Sequence, residues 1–376
     1  MAGIYIHIPF CKQRCTYCDF YTRVTPALIP DFVSAAAREI YLRSSYLNNA
    51  TVETIYFGGG TPSVLNYNQF KTLLDAIFLN YKVSDEAEIT FEANPDDLTD
   101  TFFSSHSPLP FNRISMGIQS FDDRDLKKIN RRHTGNQAIE AVRRAQKYGF
   151  NNISVDLIYG LPGQSVDDWQ KQLNQVFGLD VQHISVYGLT YEKNTRLWKQ
   201  REKGEVTATD DEAMITMYEK LVANMQHNGY EAYEISNFAK PGYRSRHNSA
   251  YWKMKPYLGI GPSAHSFDGK SRQWNIASNT GYIKAMQENE IFYELEELSA
   301  NDRYNDYVMV SLRTSDGIDL EYLQQNFDNK YITYLLKSIE KYIDGQKIKK
   351  EQNRINFTSE GIHVSNMIIS DLMYVD

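Results

Sequence analysis

Cysteine is scarce in this chain, with three residues in 376. An odd count cannot close a disulfide framework, and such frameworks belong to small secreted domains. Long apolar runs are missing too, and none approaches the roughly 20 residues that a membrane span needs. Basic charge is not in excess. Lys and Arg number 40 against 47 Asp and Glu, a net charge of −7, so there is no electrostatic case for nucleic acid as the main partner. The opening Met-Ala-Gly-Ile-Tyr-Ile-His lacks a basic segment and runs straight into the first motif, so it is not read as a signal peptide. A hydrophobic share of 42% is that of an ordinary globular protein, and the length suits two domains.

The three cysteines sit in one run, Tyr5-Ile-His-Ile-Pro-Phe-Cys11-Lys-Gln-Arg-Cys15-Thr-Tyr-Cys18-Asp-Phe20. Clustered thiolates select zinc or iron–sulfur clusters. A structural zinc site takes four protein ligands and usually recruits a second Cys or His pair. No such pair exists here; His7 and His133 are lone histidines. A four-iron cluster held by three thiolates keeps one iron open for an exchangeable ligand. Free clustered thiols also point to a reducing, cytosolic compartment.

The first half alternates short β-branched or aromatic runs with helical patterns. Expected strands are 3–8, 54–57, 88–93, 113–117, 153–158 and 183–189. Helices are expected over 134–148, capped by Thr134 and ended by Gly149, and over 165–177, capped by Ser165. Six βα units imply a parallel sheet, and periodicity alone does not separate a partial barrel from an open doubly wound sheet.

Parallel strands would bring the motifs to one face. Gly58-Gly59-Gly60-Thr61-Pro62 follows the second strand, Glu92 ends the third, Gln119 follows the fourth and Asp156 lies in the fifth. A glycine run lets backbone groups approach a ligand closely, and it serves equally as a tight strand-to-helix turn. Glu92 and Asp156 are carboxylates in apolar strands; they suit either a structural ion pair or a ligand site.

With these residues in view, the chain resembles the radical S-adenosylmethionine (SAM) family, in the group that holds oxygen-independent coproporphyrinogen III oxidase and a haem-chaperone branch. The resemblance implies an α/β fold, a partial (β/α)6 TIM-type barrel, followed by a mostly helical, winged-helix-like C-terminal domain. It implies that Cys11, Cys15 and Cys18 hold a 4Fe-4S cluster. SAM contacts are implied for Tyr5, Phe20, Gly59, Gly60, Thr61, Glu92, Gln119, Arg131 and Asp156. Arg132 adjoins Arg131, and which of the two faces SAM is left open.

The second half carries Arg246-His247-Asn248-Ser249-Ala250-Tyr251-Trp252 and then Gly259-Ile-Gly-Pro-Ser-Ala-His265. An exposed histidine beside aromatics is commonly a packed hydrogen-bonder. His-Asn-x-x-Tyr-Trp, however, resembles the signature of the haem-chaperone branch. That likeness implies His247 as an axial haem ligand, with Tyr251 and Trp252 against the porphyrin. His265 is a second candidate. Two departures from the oxidase pattern count against porphyrinogen decarboxylation: Phe20 stands where the oxidase has a further cysteine, and only ten residues precede the cysteine loop.

From Ser299 onward, helices over 301–311, 320–325 and 331–342, a hairpin over 346–358 and a last helix over 359–374 are expected. Their likeness to a winged-helix module comes without a strong basic stripe, because Lys347, Lys349 and Lys350 are few. The expected organisation is thus a barrel over 1–235, a connecting segment with the haem motif over 236–298 and a C-terminal domain over 299–376. The expected function is cytoplasmic haem carriage: haem as cargo, acceptor haemoproteins (respiratory or membrane-bound ones included) as partners, and no residue assigned to catalysis. The alternative is a radical-SAM enzyme such as the oxidase, and a zinc-stabilised interaction protein is a third reading.

Overall fold

A computed structural model describes residues 2–291 and 293–375. Six parallel strands form its centre: β1 (Ala2–Ile8), β2 (Val52–Gly59), β3 (Val83–Ala93), β4 (Arg113–Gln119), β5 (Ile153–Tyr159) and β6 (His183–Gly188). They lie side by side in sequence order. A doubly wound sheet reverses its strand order partway; this one never does, so it curls in one direction as a barrel wall. The first five exceed their expected lengths, because their apolar residues are buried on both faces, and β6 ends one residue short of its expected end.

Helices cover the outer face. The Gly135–Lys147 and Val166–Phe177 helices start where the sequence places them. Thr134 accepts from the Gln137 N–H and Ser165 from the Asp168 N–H, both in reciprocal capping boxes. Trp169, on the second of these helices, is fully buried, and its indole N–H donates to the Met217 carbonyl at 3.0 Å.

The wall continues beyond the six strands at both edges. On one side β6 is joined antiparallel by β8 (Asn237–Ala239), itself flanked by β7 (Glu231–Ala232). On the other, β9 (Tyr257–Ile260) runs parallel to β1 and leads into an antiparallel set, β10 (His265–Phe267), β11 (Ser271–Asn275) and β12 (Tyr293–Glu297). The barrel stays open, because β7 and β12 are the two free edges of the sheet.

A second hydrophobic core, centred on Tyr304, Leu323, Leu335 and Ile368, belongs to the C-terminal part. It gathers the Ala300–Leu312, Leu320–Asn326 and Asn329–Asp344 helices and a small sheet of β13 (Ile318–Asp319), β14 (Ile348–Glu351) and β15 (Arg354–Phe357). The single helix expected over 359–374 is two, Ser359–His363 and Ser365–Leu372. Between them Val364 leaves helical geometry for the bridge side of the map (φ −117°, ψ 20°), which breaks the helix in two. Main-chain bonds tie this part to the barrel, from Ile235 N–H to the Arg313 carbonyl and from Ser315 N–H to the Tyr233 carbonyl.

Gly135 opens its helix under the Phe121 carbonyl, and a Cβ there would lie 2.0 Å from that oxygen. Gly135→Ala is therefore expected to destabilise the fold by about 1–3 kcal/mol, as overpacking against backbone does. Urea unfolding checks this; an unchanged midpoint would mean that the helix start shifts freely.

Candidate functional site

The loop after β1 carries the three cysteines and is tied down at both ends. Phe10 bridges to Arg23; the Cys11 N–H donates to the Arg23 carbonyl at 3.1 Å and the Arg23 N–H to the Pro9 carbonyl at 2.8 Å. The loop also lies against the end of β2. Gly60 N–H donates to the Ile8 carbonyl and Thr61 N–H to the Phe10 carbonyl, each at 2.8 Å. A Cβ on Gly60 would stand 2.6 Å from the Phe10 carbonyl oxygen, and one on Gly59, where φ is +99°, would overlap the His7 ring. The glycines therefore let two backbones meet, and a branched residue at Gly60 would displace the cysteine loop itself.

All three cysteines are free thiols, half-buried, in one cleft of about 520 Å³ at the C-terminal ends of the strands. Burial pushes the Cys18 thiol up to about 12 and raises Cys11, whose sulfur accepts from the Thr61 hydroxyl at 3.4 Å. Arg131 donates to the Cys15 sulfur at 3.4 Å and to Asn94 Oδ1 at 2.7 Å. Arg132 turns away and pairs with Asp96 and Asp97. Arg131 is thus the arginine that faces the thiols.

Phe20, Gly59, Gly60, Thr61, Glu92, Gln119, Arg131 and Asp156 line this same cleft with the cysteines. Tyr5 does not. It lies on the neighbouring side of the barrel, where its ring stacks on Tyr56 and His247. His7 and His133 are also elsewhere engaged: His7 bonds to the Tyr5 hydroxyl and the Tyr21 carbonyl, and His133 to the Ile118 carbonyl. Among the described residues no three His, Cys, Asp or Glu side chains converge on a single-ion site. A cubane spreads its thiolates over separate corners, so three cysteines spaced around one cleft suit a cluster better than one zinc ion.

Glu92 and Asp156 make no ion pair among the described residues, so they are not a structural ion pair. The Tyr56 hydroxyl donates to Glu92 Oε1 at 2.8 Å, and the Ser115 hydroxyl to Asp156 Oδ1 at 3.4 Å. Burial raises Glu92 to about 7 against the Tyr56 bond, with the Asp156 charge adding to it. Burial likewise raises Asp156 to about 6. Two buried carboxylates in one cleft, with no direct ion pair among the described residues and only the more distant Arg113 and Arg131 guanidiniums favouring the Asp156 charge, are groups that a cationic ligand would relieve.

Sequence reasoning missed part of the wall. Tyr187 lies at the end of β6, Thr190 and Glu192 follow that strand, and Asn94 holds Arg131. The signal for the first three was topological, since they stand at the end of the sixth strand as the other motifs stand at the ends of theirs.

The His-Asn-x-x-Tyr-Trp motif forms the Arg246–Trp252 helix. His247 is buried at 2% exposure, not exposed as its polar neighbours suggested. Its Nδ1 bonds to the Thr54 hydroxyl at 2.7 Å and its Nε2 to the Tyr251 hydroxyl at 2.8 Å. The Glu88 carboxylate accepts from the N–H groups of Arg246 and His247, which anchors the start of the helix to β3. Burial holds the imidazole down at about 3. Tyr251 lines a second cleft of about 540 Å³, which shares Asp19 and Phe20 with the cysteine cleft, whereas Trp252 faces a separate pocket beside the C-terminal part.

Comparison with known proteins bears on this arrangement. Residues 5–176 match the Radical SAM superfamily and residues 298–364 the HemN C-terminal domain. The haem chaperone HemW of Lactococcus lactis is 32% identical over 99% of this chain and 97% of its own length. That of Bacillus subtilis is 35% identical over 88% and 87%. The solved coproporphyrinogen III oxidase HemN of Escherichia coli covers 99% of this chain and 90% of its own, with a TM-score of 0.86 and 23% identity, a likeness of fold. No helix among the described residues is long and apolar enough to cross a membrane. On the identity and coverage of its relatives, the chain belongs to the HemW haem-chaperone family of radical-SAM proteins.

Proposed function

We propose that this protein is a haem carrier that holds a 4Fe-4S cluster and SAM and passes haem to acceptor haemoproteins in the cytoplasm. The observation that carries the reading is the pair of adjoining clefts, one lined by the thiols and unpaired carboxylates, the other by aromatic rings and histidine. Residues 1–235 would form the SAM-binding barrel, 236–298 the haem-motif segment and 299–376 the closing domain.

When bound, the cluster supplies single electrons and an iron open to the amino and carboxylate groups of SAM. Cys11, Cys15 and Cys18 would hold it, and Arg131 sets a permanent cation beside the thiolates. Glu92 and Asp156 would face the cationic part of SAM, with Gln119 and the Gly59–Thr61 edge completing the walls. Tyr251 and its neighbours would take the haem face, with His247 fixing the Tyr251 hydroxyl and Trp252, the last residue of the same helix, lining the adjoining pocket.

Anaerobic reconstitution with iron and sulfide is expected to load about four irons per chain. Cys15→Ala is expected to abolish this loading and the accompanying EPR signal. Stoichiometric zinc without iron in protein purified free of oxygen would instead support the zinc-stabilised reading.

SAM affinity should depend on pH. Glu92 binds its proton up to about pH 7, so below that the carboxylate is neutral and its attraction for a cation is lost. Calorimetry is expected to show affinity weakening with falling pH between about 7 and 6, tending toward tenfold per unit. Glu92→Gln should weaken binding and flatten that dependence. Because a raised carboxyl pKa costs folding free energy as pH rises above the unfolded value, the same variant should stabilise the SAM-free protein at pH 8. A pH-independent affinity in the unsubstituted protein would remove Glu92 from the site.

Conversion of coproporphyrinogen in the presence of SAM and a reductant, with weak haem binding, would favour the oxidase reading over the carrier.

A further inference from the structure

We propose that the haem iron is ligated by His265, from β10, in the cleft between the β9–β11 strands and the Ala300–Leu312 helix. The inference rests on the haem-carrier reading and assigns the ligand within it. Three histidines adjoin this cleft. His7 and His265 line it, and His247 supports it through Tyr251.

An axial imidazole must offer a nitrogen lone pair that nothing else uses. Both nitrogens of His247 are engaged, at 2.7 and 2.8 Å, and both of His7, at 3.1 and 2.9 Å. Both rings are also buried, at 2% and 4% exposure. Reaching iron with either would break paired polar contacts inside the barrel. His265 is exposed and neither of its nitrogens carries a hydrogen bond among the described residues.

The position is fixed without using those nitrogens. His265 stands opposite Trp274 across the β10–β11 pair, and the two rings stack with centroids 6.2 Å apart at 27°. Beneath it, a Cβ on Gly259 would come within 2.0 Å of the His265 carbonyl oxygen, so the strand is seated directly on β9. The ring is thus presented from paired strands. Packing against the wall and the nearby Arg272 guanidinium lower its pKa, which keeps it neutral and able to ligate at pH 7.

The rest of the cleft suits a flat, largely apolar molecule with acidic edges. Tyr251, Tyr257, Phe267 and Met309 give it rings and a soft thioether. Lys255 lines the cleft and makes no ion pair among the described residues, so its ammonium is free for a propionate. Arg272 is already committed to Asp306 and Glu296.

The test is a ferric haem titration of the full chain with its cluster reconstituted, read by the Soret band in difference spectra and by low-temperature EPR. Metal-free protoporphyrin, followed by fluorescence, serves as the ligand that has no iron to bind. His265→Ala is expected to weaken haem binding at least tenfold and to remove the imidazole signature, while protoporphyrin affinity changes less than threefold. His265→Cys is expected to recover affinity with a thiolate-type spectrum, which also shows that the strand is intact. His247→Gln is expected to keep the imidazole signature. Wild-type haem affinity and spectra in both His265 variants would overturn the assignment, the more directly if His247→Gln loses the signature. Absence of saturable haem binding by the unsubstituted protein would overturn the carrier reading along with it.

Discussion

The close approach of the cysteine loop to the end of β2 is the contact on which the rest depends. Gly60 and Thr61 donate to the carbonyls of Ile8 and Phe10, and neither bond forms if residue 60 carries a side chain that holds the strands apart. The same contact seats Cys11 beside the Thr61 hydroxyl and closes one wall of the cleft that holds Glu92 and Asp156. The other side of the loop is returned by the Phe10–Arg23 bridge. A loop pinned at both ends loses little further entropy on taking up a ligand, so the thiols are pre-arranged rather than gathered. From Asp19 and Phe20 the loop also reaches the second cleft, which makes it the partition between the two.

Inside the barrel, a column of polar and aromatic groups takes the place of an apolar core. Tyr5, Tyr56 and His247 stack, Tyr56 reaches Glu92, and His247 reaches Thr54 and Tyr251. Gly3 makes room for this packing, since a Cβ there would come 2.8 Å from the Thr54 hydroxyl and 3.3 Å from the His247 ring. A fully bonded network of this kind is rigid, because breaking any member strands its partner without water. The haem-motif helix is therefore a structural plug of the barrel as well as the flank of a cleft. Its histidine holds Tyr251, and Tyr251 is what the cleft presents.

Much of the fold was legible because it rests on local chemistry. The six central strands are β-branched runs buried on both faces, and Thr134 and Ser165 cap their helices by bonds to residues three positions on. The site was legible to the extent that its residues directly follow strands in sequence. What escaped depends on distant partners. His247 reads as exposed beside Arg246 and Asn248, and only Thr54 and Glu88, far away in the chain, bury it. Arg131 and Arg132 are equivalent in sequence; Asp96 and Asp97 draw off the second and leave the first to the thiols. The sheet extensions β7–β12 are short, and β12 reads Tyr-Glu-Leu-Glu-Glu with every residue exposed, so burial leaves little alternating pattern there to detect.

The electrostatics of the two clefts differ in a way that fits two different ligands. The first concentrates acid: three thiols and the buried carboxyls of Glu92 and Asp156 share it with the Arg131 guanidinium, and burial drives Glu92, Asp156, Cys11 and Cys18 upward in pKa. Burial makes the ionised form of those groups costly and keeps them neutral until positive charge arrives to offset the cost, an environment that suits metal ions and a cationic ligand. The second cleft carries a lysine without an ion pair, a neutral imidazole and flat rings, and its arginine is already neutralised. It offers little to a cation and much to a planar molecule that has a metal at its centre and carboxylates at its rim. Asp19 and Phe20 line both clefts, so any shift of the cysteine loop moves a wall of each.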